Sequence, residues 1–228
     1  MGRALKLSPG IRGRYDVAQT TDENRRHWAA ADAFSAGAAA IPGVRRTLRM
    51  RSRYEVANNA YARGIVSTLA NDTIGTGVRL QMATPDKDAN DLIEDAFSQW
   101  AQAVSLASKL RTMRMAKTQD GEVFGILTSN PELATDIKLD LRLIEGDQVA
   151  NPWTVATMQS MSDGIEFDSA GNPTGYWVLR HHPGDLFTMG AYQADLVSAK
   201  SVIHYFRTDR PGQLRGIPEI ASALGLFA

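Results

Sequence analysis

Lys138-Leu139-Asp140-Leu141-Arg142-Leu143-Ile144-Glu145 is the stretch that decides the fold class. Leucine at every second position, with charged residues between, is typical of a strand that buries one face. Before this stretch, apolar residues recur every three to four positions over 53–70, 84–100 and 105–119, which predicts helices. After it, short apolar runs separated by turn residues predict further strands. The sequence therefore indicates an α+β fold in which helices come first and a mostly antiparallel sheet follows.

The same patterns predict where the individual elements begin and end. These elements are a helix from Arg53 to Asn71, a strand at Val78–Met82, helices that begin at Thr84 and Ser105, strands at Glu122–Thr128 and Ser201–Phe206, a hairpin of Gly164–Asp168 and Gly175–His181, and a helix from Ile217. Val56, Ala60, Ile65 and Leu69 are predicted to form the buried face of the first helix.

Residues 1–52 are predicted to form a basic, irregular arm that contains one short helix at Asn24–Phe34. The whole chain carries 25 basic and 25 acidic residues, but the basic ones are concentrated in and just after this arm. Five guanidinium groups cluster within nine residues: Arg45, Arg46, Arg49, Arg51 and Arg53. Such a run is suited to nucleic-acid phosphates, to acidic surfaces of neighbouring subunits, or to a solvated tail, and the sequence leaves these three readings open.

No pattern of catalytic or metal-ligating residues stands out. The chain has no cysteine, which excludes disulfides and thiolate sites. Glu145 and Asp147 follow a strand end without a companion nucleophile, and Asp120-Gly121-Glu122 has the composition of a turn. His181 and His182 are adjacent, so on a strand they point to opposite faces. We therefore expect no catalytic residue, no metal and no cofactor. Because the sequence shows neither a membrane-spanning apolar run nor a signal peptide, we also expect a cytosolic product.

A series of segments follows in one order along residues 53–218. The segments are 53–63, 72–77, 120–124, 143–149, 164–168, 182–185, 202–206 and, the most specific, Arg207-Thr208-Asp209-Arg210-Pro211-Gly212-Gln213-Leu214-Arg215-Gly216-Ile217-Pro218. This series resembles the lambda family of phage portal proteins, the head–tail connectors. The residues that carry the resemblance are Asn59, Gly75, Gly77, Asp120, Gly121, Glu122, Glu145, Asp147, Gly184, Asp185, Asp209, Arg210, Pro211, Gly212 and Gly216.

The resemblance implies a structural subunit, or a fragment of one, of a ring that is typically dodecameric in the family. Double-stranded DNA would be packaged and ejected through this ring, at a capsid vertex of the virion and, during assembly, in the host cytoplasm. The implied partners are further copies of the chain, the terminase, and capsid and tail-completion proteins; no membrane, cofactor or enzymatic activity is implied. The alternative is a basic-armed module that binds DNA non-specifically and is not part of a virion.

The resemblance also implies how the chain is divided. Residues 53–217 resemble the outer, wing-like α+β domain of a portal subunit, and residues 218–228 resemble the start of a helix that leads to the stem. Ile220, Leu224, Leu226 and Phe227 would then form an uncovered apolar patch. We expect the 228 residues alone to be monomeric or to form small, poorly defined oligomers.

Overall fold

The computed structural model describes residues 16–152, 161–185 and 193–227, and the chain divides into two compact units, Met1–Ser35 and Ala36–Ala228. The described part of the first unit contains a 3-10 turn at Asp16–Ala18 followed by hydrogen-bonded turns. The helix predicted at Asn24–Phe34 does not form. Its side chains are almost all exposed, and a short helix without a buried apolar face is marginal in water.

The second unit begins with a helical layer. Its helices are α1 (Ala36–Ala39), α2 (Pro42–Asn58), α3 (Ala60–Ile74), α4 (Lys87–Ala103) and α5 (Leu106–Asp120), and α6 (Leu224–Phe227) lies at the other end of the chain. The predicted boundary between arm and domain, at residue 52, falls inside α2. Helix α2 starts with Pro42, a residue that fits the first turn because it needs no amide hydrogen there.

Asn59 divides the single helix predicted after Arg53 into α2 and α3. Its extended backbone ends α2, and its side-chain oxygen accepts hydrogen bonds from the amides of Tyr61 and Ala62 at the start of α3. Asparagine is favoured at such caps because its side chain competes with the helical backbone for hydrogen bonds.

The face of α3 that is buried differs from the predicted one. Ala62, Val66 and Ala70 are fully buried, whereas Ile65 and Leu69 are exposed. Small side chains face the interior because α3 packs closely against α5. The prediction assigned burial by hydrophobicity and therefore selected the larger side chains.

The N-cap of α4 lies two residues after the predicted capping hydroxyl. Asp86, and not Thr84, is the N-cap residue, and its carboxylate accepts from the Ala89 amide at 3.0 Å. The predicted strand at Val78–Met82 does not form a ladder. The amide of Met82 donates instead to the side chain of Glu94 in α4, at 2.7 Å.

Two antiparallel sheets follow the helices, so the predicted α+β class is confirmed. The strands are β1 (Glu122–Ser129), β2 (Leu139–Glu145), β3 (Met161–Ser162), β4 (Ile165–Phe167), β5 (Pro173–Leu179), β6 (Ala194–Ser198) and β7 (Val202–Phe206). The first sheet has the order β2-β1-β7 and the second β3-β4-β5-β6. Where one sheet was predicted, two are found, because β1 pairs with the late strand β7 and leaves the hairpin strands in a sheet of their own.

The three-stranded sheet is covered on both faces. Val123 and Leu141 pack with Met113 of α5 on one face. On the other face, residues of β1 and β2 pack with residues of the four-stranded sheet; this cluster is Phe124, Ile126, Ile144, Val149, Ile165, Tyr176 and Val178. The strand predicted to be half-buried therefore buries Ile144 on its second face as well.

A third apolar cluster joins the end of the described chain to α2 and α3. Ile220 is buried against Val56, Ala62 and Val66. The predicted helix from Ile217 is a 3-10 turn at Ala221–Ala223 followed by the short α6. The expected uncovered patch is therefore mostly covered: Leu224 and Phe227 pack on this cluster, and of the four residues only Leu226 is largely exposed.

Candidate functional site: a buried arginine–carboxylate network

The carboxylate of Glu122 is the centre of the most extensive polar cluster in the described chain. Glu122 is the first residue of β1 and is completely buried. One of its oxygens accepts hydrogen bonds from Arg49 and from Arg215 (Nη2, 2.8 Å). The other accepts from His204 (Nε2, 3.0 Å), from Arg215 (Nε, 2.9 Å) and from the amide of Gly216 (2.9 Å). A buried carboxylate is stable only when it is paired in this way.

Arg215 has a hydrogen-bond acceptor on all three of its guanidinium nitrogens. Besides Glu122, Nη1 donates to the carbonyl oxygens of Val149 (3.0 Å) and Asp163 (2.6 Å), and Nη2 donates to that of Gly146 (2.8 Å). The side chain is almost fully buried. Arginine is suited to this position because its planar group presents five donors in a fixed geometry. Arg215 thereby connects the start of β1, the end of β2 and the turn before β4.

The basic run divides between the interior and the surface. Arg45, Arg49 and Arg53 are spaced by four residues, so they share one face of α2, and this face is turned inward. Arg45 and Arg49 are buried and Arg53 is half-buried, whereas Arg46 and Arg51 are exposed. The three inward residues are therefore held by carboxylates of this same chain, an arrangement that none of the three readings of the basic run included.

Arg49 and Arg53 hold the carboxylates that follow α5 and β2. Arg49 donates to the Asp120 carbonyl (Nε, 3.1 Å) and to Asp147 (Nη1, 2.9 Å). Arg53 donates to the carboxylate of Asp120 (Nε, 2.7 Å) and forms ion pairs with Glu145 (2.9 Å) and Asp147 (3.0 Å). Because each carboxylate meets at least one guanidinium, the cluster has no unpaired negative charge.

Arg45 extends the network to the turn before β4. Its guanidinium donates to the carbonyl of Ala40 and to the carboxylate of Asp163. Burial, and then the charge of Arg215 nearby, lower the pKa of Arg45 to about 10. Arg45 therefore keeps its proton at neutral pH.

The electrostatic environment keeps Glu122 ionised and His204 neutral. Burial alone would raise the pKa of Glu122, but the charge of Arg215, the hydrogen bond from His204 and the charge of Arg49 together hold it well below its usual value. Burial lowers the pKa of His204 and outweighs the hydrogen bond to Glu122. His204 also stacks against Phe124, with ring centroids 4.2 Å apart. Its Nε2 therefore acts as a neutral donor to the carboxylate.

Two glycines allow the loop that carries Arg215 to approach β1. A Cβ on Gly216 would lie 2.1 Å from the carbonyl oxygen of Gly121, and a Cβ on Gly121 would lie 2.3 Å from the carbonyl carbon of Ile217. Gly121 also has a φ of +91°, which L side chains rarely adopt. Glycine is therefore required at both positions for the ion pairs to form.

The loop between β7 and Arg215 is held by the side chain of Gln213. Its oxygen accepts from the amides of Asp209 (2.9 Å) and Arg210 (3.3 Å). Its nitrogen donates to the carbonyls of Arg207 (3.3 Å) and Arg215 (2.9 Å). The turn residues Pro211 and Gly212 lie at the exposed tip. Gln213 thus fixes the path of the chain that delivers Arg215 to Glu122.

Glu145, Asp147 and His182 form the one group of three potential metal ligands found within residues 16–152, 161–185 and 193–227. The Gly184 amide donates to Nδ1 of His182 at 3.0 Å, and Nε2 of the same ring faces the carboxylates of Glu145 (3.4 Å) and Asp147 (3.9 Å). Because Arg53 already supplies a positive charge to both carboxylates, the geometry is that of an ion-pair cluster.

The remaining predicted site residues lie away from the network. Asn59 caps α3, Gly75 ends it with a φ of +54°, and Gly77 (φ +106°) allows close approach to Ala107. The carboxylate of Asp185 accepts from the His182 amide at 3.2 Å, within a turn of its own.

Two patterns in the sequence indicated the network, but they were missed when Asp120-Gly121-Glu122 was interpreted as a turn. Glu122 opens an otherwise apolar run that becomes a covered strand, a position where a charge needs a partner. The arginines at 45, 49 and 53 repeat with helical spacing, which indicates one face of a helix. The pairing with Arg215 could not be foreseen, because 93 residues separate it from Glu122.

In the described part of the chain, no helix combines the length and the apolarity needed to cross a membrane.

Comparison with known proteins gives two matches. The model of one protein family, described as phage portal protein, lambda family, matches residues 22–228. The match begins well before Arg53, where the resemblance was predicted to start. The chain is also similar to a curated relative named "Probable portal protein" from Halomonas phage phiHAP-1, at 27% identity. That alignment covers 75% of this chain and 36% of the relative, so the chain spans about a third of the relative's length.

Proposed function

Since the chain belongs to the lambda family of phage portal proteins, we propose that it forms part of a structural subunit of the portal ring at a capsid vertex. The family match over residues 22–228 is the observation that carries this proposal. In this role the ring is the channel through which double-stranded DNA is packaged and ejected. The subunit acts in the virion after being assembled in the host cytoplasm.

The buried network supports a structural role in preference to a catalytic one. Catalysis requires an acid, base or nucleophile that reaches a substrate. Glu122 and His204 have matched partners and are closed off from solvent. Three of the segments that resemble the family, 120–124, 143–149 and 207–218, meet in this network, and its ion pairs join α2, β1, the end of β2 and the loop after β7. We propose that it keeps this unit rigid under the forces of packaging.

The partners proposed for the whole subunit are further copies of itself, the terminase, and capsid and tail-completion proteins. We propose that residues after Ser35 form the wing-like part and that α6 leads toward the stem. Arg46 and Arg51 are the members of the basic run whose side chains point to solvent. They are accordingly our candidates for contacts with a neighbouring subunit or with DNA.

The test is electron microscopy and mass photometry of the whole gene product that contains these residues. The proposal requires closed rings with a central opening. A product that stays monomeric and binds duplex DNA with an affinity that falls steeply with salt would favour the alternative of a non-specific DNA-binding module.

The DNA-binding alternative is tested with a double variant and a matched control variant. In the DNA-binding alternative, Arg46→Ala with Arg51→Ala lowers the affinity and reduces the slope of log affinity against log salt by up to about 2, since each phosphate contact contributes about 0.9. Arg180→Ala is the control, because this exposed arginine lies outside the basic run and is already paired with Asp195. Equal slopes for all three proteins would exclude the alternative.

A further inference from the structure

Glu219 binds the last turn of α5 with both its main chain and its side chain. Its amide donates to the carbonyl of Thr118 at 2.9 Å. One carboxylate oxygen accepts hydrogen bonds from Arg114 (Nη1, 2.8 Å) and from the hydroxyl of Thr118 (3.1 Å). The last carbonyl groups of a helix have no partner within it, so the amide of Glu219 supplies one. The loop after Arg215 is therefore attached to the end of α5 at this residue.

Three cations surround this single carboxylate. The second oxygen of Glu219 faces Lys117 (Nζ, 3.6 Å), the next basic residue of α5, and Arg207 (Nη1, 3.9 Å), which directly follows β7. The side chains of Glu219 and Arg114 are only 11% and 12% exposed. Burial would raise the pKa of Glu219, but the hydrogen bond and the charge of Arg114 hold it below its usual value. The carboxylate is therefore ionised at neutral pH and is held from two elements of the unit.

A carboxylate is an unusual side chain for this position. The C-terminal end of a helix carries partial negative charge, and burial of any charge has a desolvation cost that an apolar side chain avoids. The neighbouring contacts are of that apolar kind, since Ile220, Leu224 and Phe227 pack on the cluster formed with α2 and α3. Apolar packing is non-directional, whereas the hydrogen bonds of Glu219 have preferred directions. The carboxylate thus supplies an orientation that the apolar contacts lack.

Glu219 is also the last polar contact between this segment and the rest of the unit. Before it, the amide of Gly216 donates to the buried network. After it, the amides of Ala221 and Ala223 donate to carbonyls only three residues earlier in the segment itself. Among the described residues, no side chain from 220 to 227 forms a hydrogen bond or an ion pair with the rest of the unit. The segment therefore has its final polar attachment shortly before α6.

We infer that Glu219 is a positioning residue whose carboxylate fixes the direction in which α6 leaves the unit. This inference rests on the proposal above that α6 leads toward the stem. In that role Glu219 sets the angle between the wing-like part and the stem, and it does so through α5 and the end of β7. A closed ring places every copy in the same geometry, so this angle has to be the same in every copy.

Distances between two spin labels measure this direction, and the chain has no cysteine of its own to interfere. One label is attached at Leu226→Cys, an 86% exposed position of α6, and the other at Ser169→Cys, in the exposed turn before β5. Leu226 lies seven residues after Glu219, a lever of about 10 Å at about 1.5 Å per residue. A pivot at Glu219 therefore moves the α6 label by several ångströms.

The labelled chain is expected to give one narrow distance distribution in double electron–electron resonance. Glu219→Ala removes the carboxylate from among its three cations, and the distribution is expected to broaden by several ångströms. Glu219→Gln keeps one oxygen that can accept from Arg114 and Thr118, so its distribution is expected to lie between those of the parent and Glu219→Ala. Glu132→Ala, at an exposed position between β1 and β2, is the matched control and leaves the distribution unchanged.

A second pair of labels separates the position of α6 from the folding of the unit. Tyr54→Cys, at a 65% exposed position of α2, is combined with Ser169→Cys, and this distance is expected to stay the same in Glu219→Ala. Unchanged α6 distances in Glu219→Ala would overturn the inference, because the apolar contacts would then position α6 by themselves. Broadening of both pairs would overturn it too, since Glu219 would then support the whole unit.

Electron microscopy of the whole gene product separates this inference from the proposed function. Glu219→Ala is expected to give distorted or incomplete rings where the wild type gives closed ones. Rings of the same shape and symmetry in both proteins would overturn this inference alone. A wild type without rings would instead overturn the proposed function.

Discussion

The substitution Glu122→Gln tests whether the buried network stabilises the fold as its geometry indicates. Glutamine keeps the size of the side chain but replaces one acceptor oxygen with a donor. In the native structure both oxygens of Glu122 are surrounded by donors, which belong to Arg49, Arg215, His204 and the Gly216 amide. An amide group cannot satisfy all of these donors, and two buried guanidinium groups lose the negative charge between them.

The expected loss of stability is large. Removing one partner of a buried ion pair costs about 3–5 kcal/mol, because the remaining charge stays buried without compensation. With a urea m-value of about 2–3 kcal/mol/M, this lowers the denaturation midpoint by about 1–2.5 M. Since total stabilities are about 5–15 kcal/mol, the variant is expected to fold, but marginally.

The assay is equilibrium urea unfolding followed by far-ultraviolet circular dichroism, with Glu145→Gln as the matched control. Glu145 carries the same chemical change at the end of the neighbouring strand, but its side chain is 55% exposed. An exposed ion pair contributes about 0–1 kcal/mol. If the two variants differ by less than about 1 kcal/mol, the network does not stabilise the fold and the reasoning is refuted.

Two further predictions concern the pH dependence of stability and the effect of adding a Cβ atom at a glycine. The pKa values of Glu122 and His204 are both lower in the folded state than in the unfolded state, so the unfolded chain binds protons at a higher pH than the folded chain does. The urea midpoint should therefore fall as the pH decreases below about 6.5, where His204 of the unfolded chain becomes protonated. It should fall more steeply below about 4.5, where Glu122 of the unfolded chain becomes protonated as well. A midpoint that is highest below pH 5 would contradict this. Gly121→Ala should cost more than about 3 kcal/mol, whereas Gly171→Ala, with a similar φ but open space around it, should cost about 1–2 kcal/mol. Equal thermal midpoints for the two variants would show that the approach of the loop does not matter.

Local patterns correctly predicted the elements whose hydrophobic period and end points are set by residues adjacent in the sequence. The alternation of leucine with charged residues before Glu145 correctly predicted strand β2. The turn predicted at Asp120-Gly121 separates α5 from β1. Where tertiary packing decides, the predictions were wrong. The buried face of the first helix was assigned to Ile65 and Leu69, whereas the packing of α3 against α5 buries Ala62, Val66 and Ala70.

The candidate site was less predictable than the fold because its parts are far apart in the sequence. The motif residues were identified as typical of a family, but no pattern in the sequence indicates that Glu122 pairs with Arg215. For Arg45 and Arg49 the three open readings were phosphates, a neighbouring subunit and a solvated tail, and none of them placed these side chains inside the domain. Their burial depends on carboxylates about 70 to 120 positions later.

The separation of Glu122 from Arg215 also has a consequence for synthesis on the ribosome. At about 5–20 residues per second, the 93 residues added after Glu122, up to and including Arg215, take roughly 5–20 s to translate. Throughout that interval the nascent chain holds β1 without its partner β7, and Glu122 without the guanidinium that allows its burial. The helices up to α5 can form as they emerge, but the centre of the domain closes only when nearly the whole sequence has left the exit tunnel. A ribosome that stalls before residue 215 therefore carries an open, protease-sensitive intermediate.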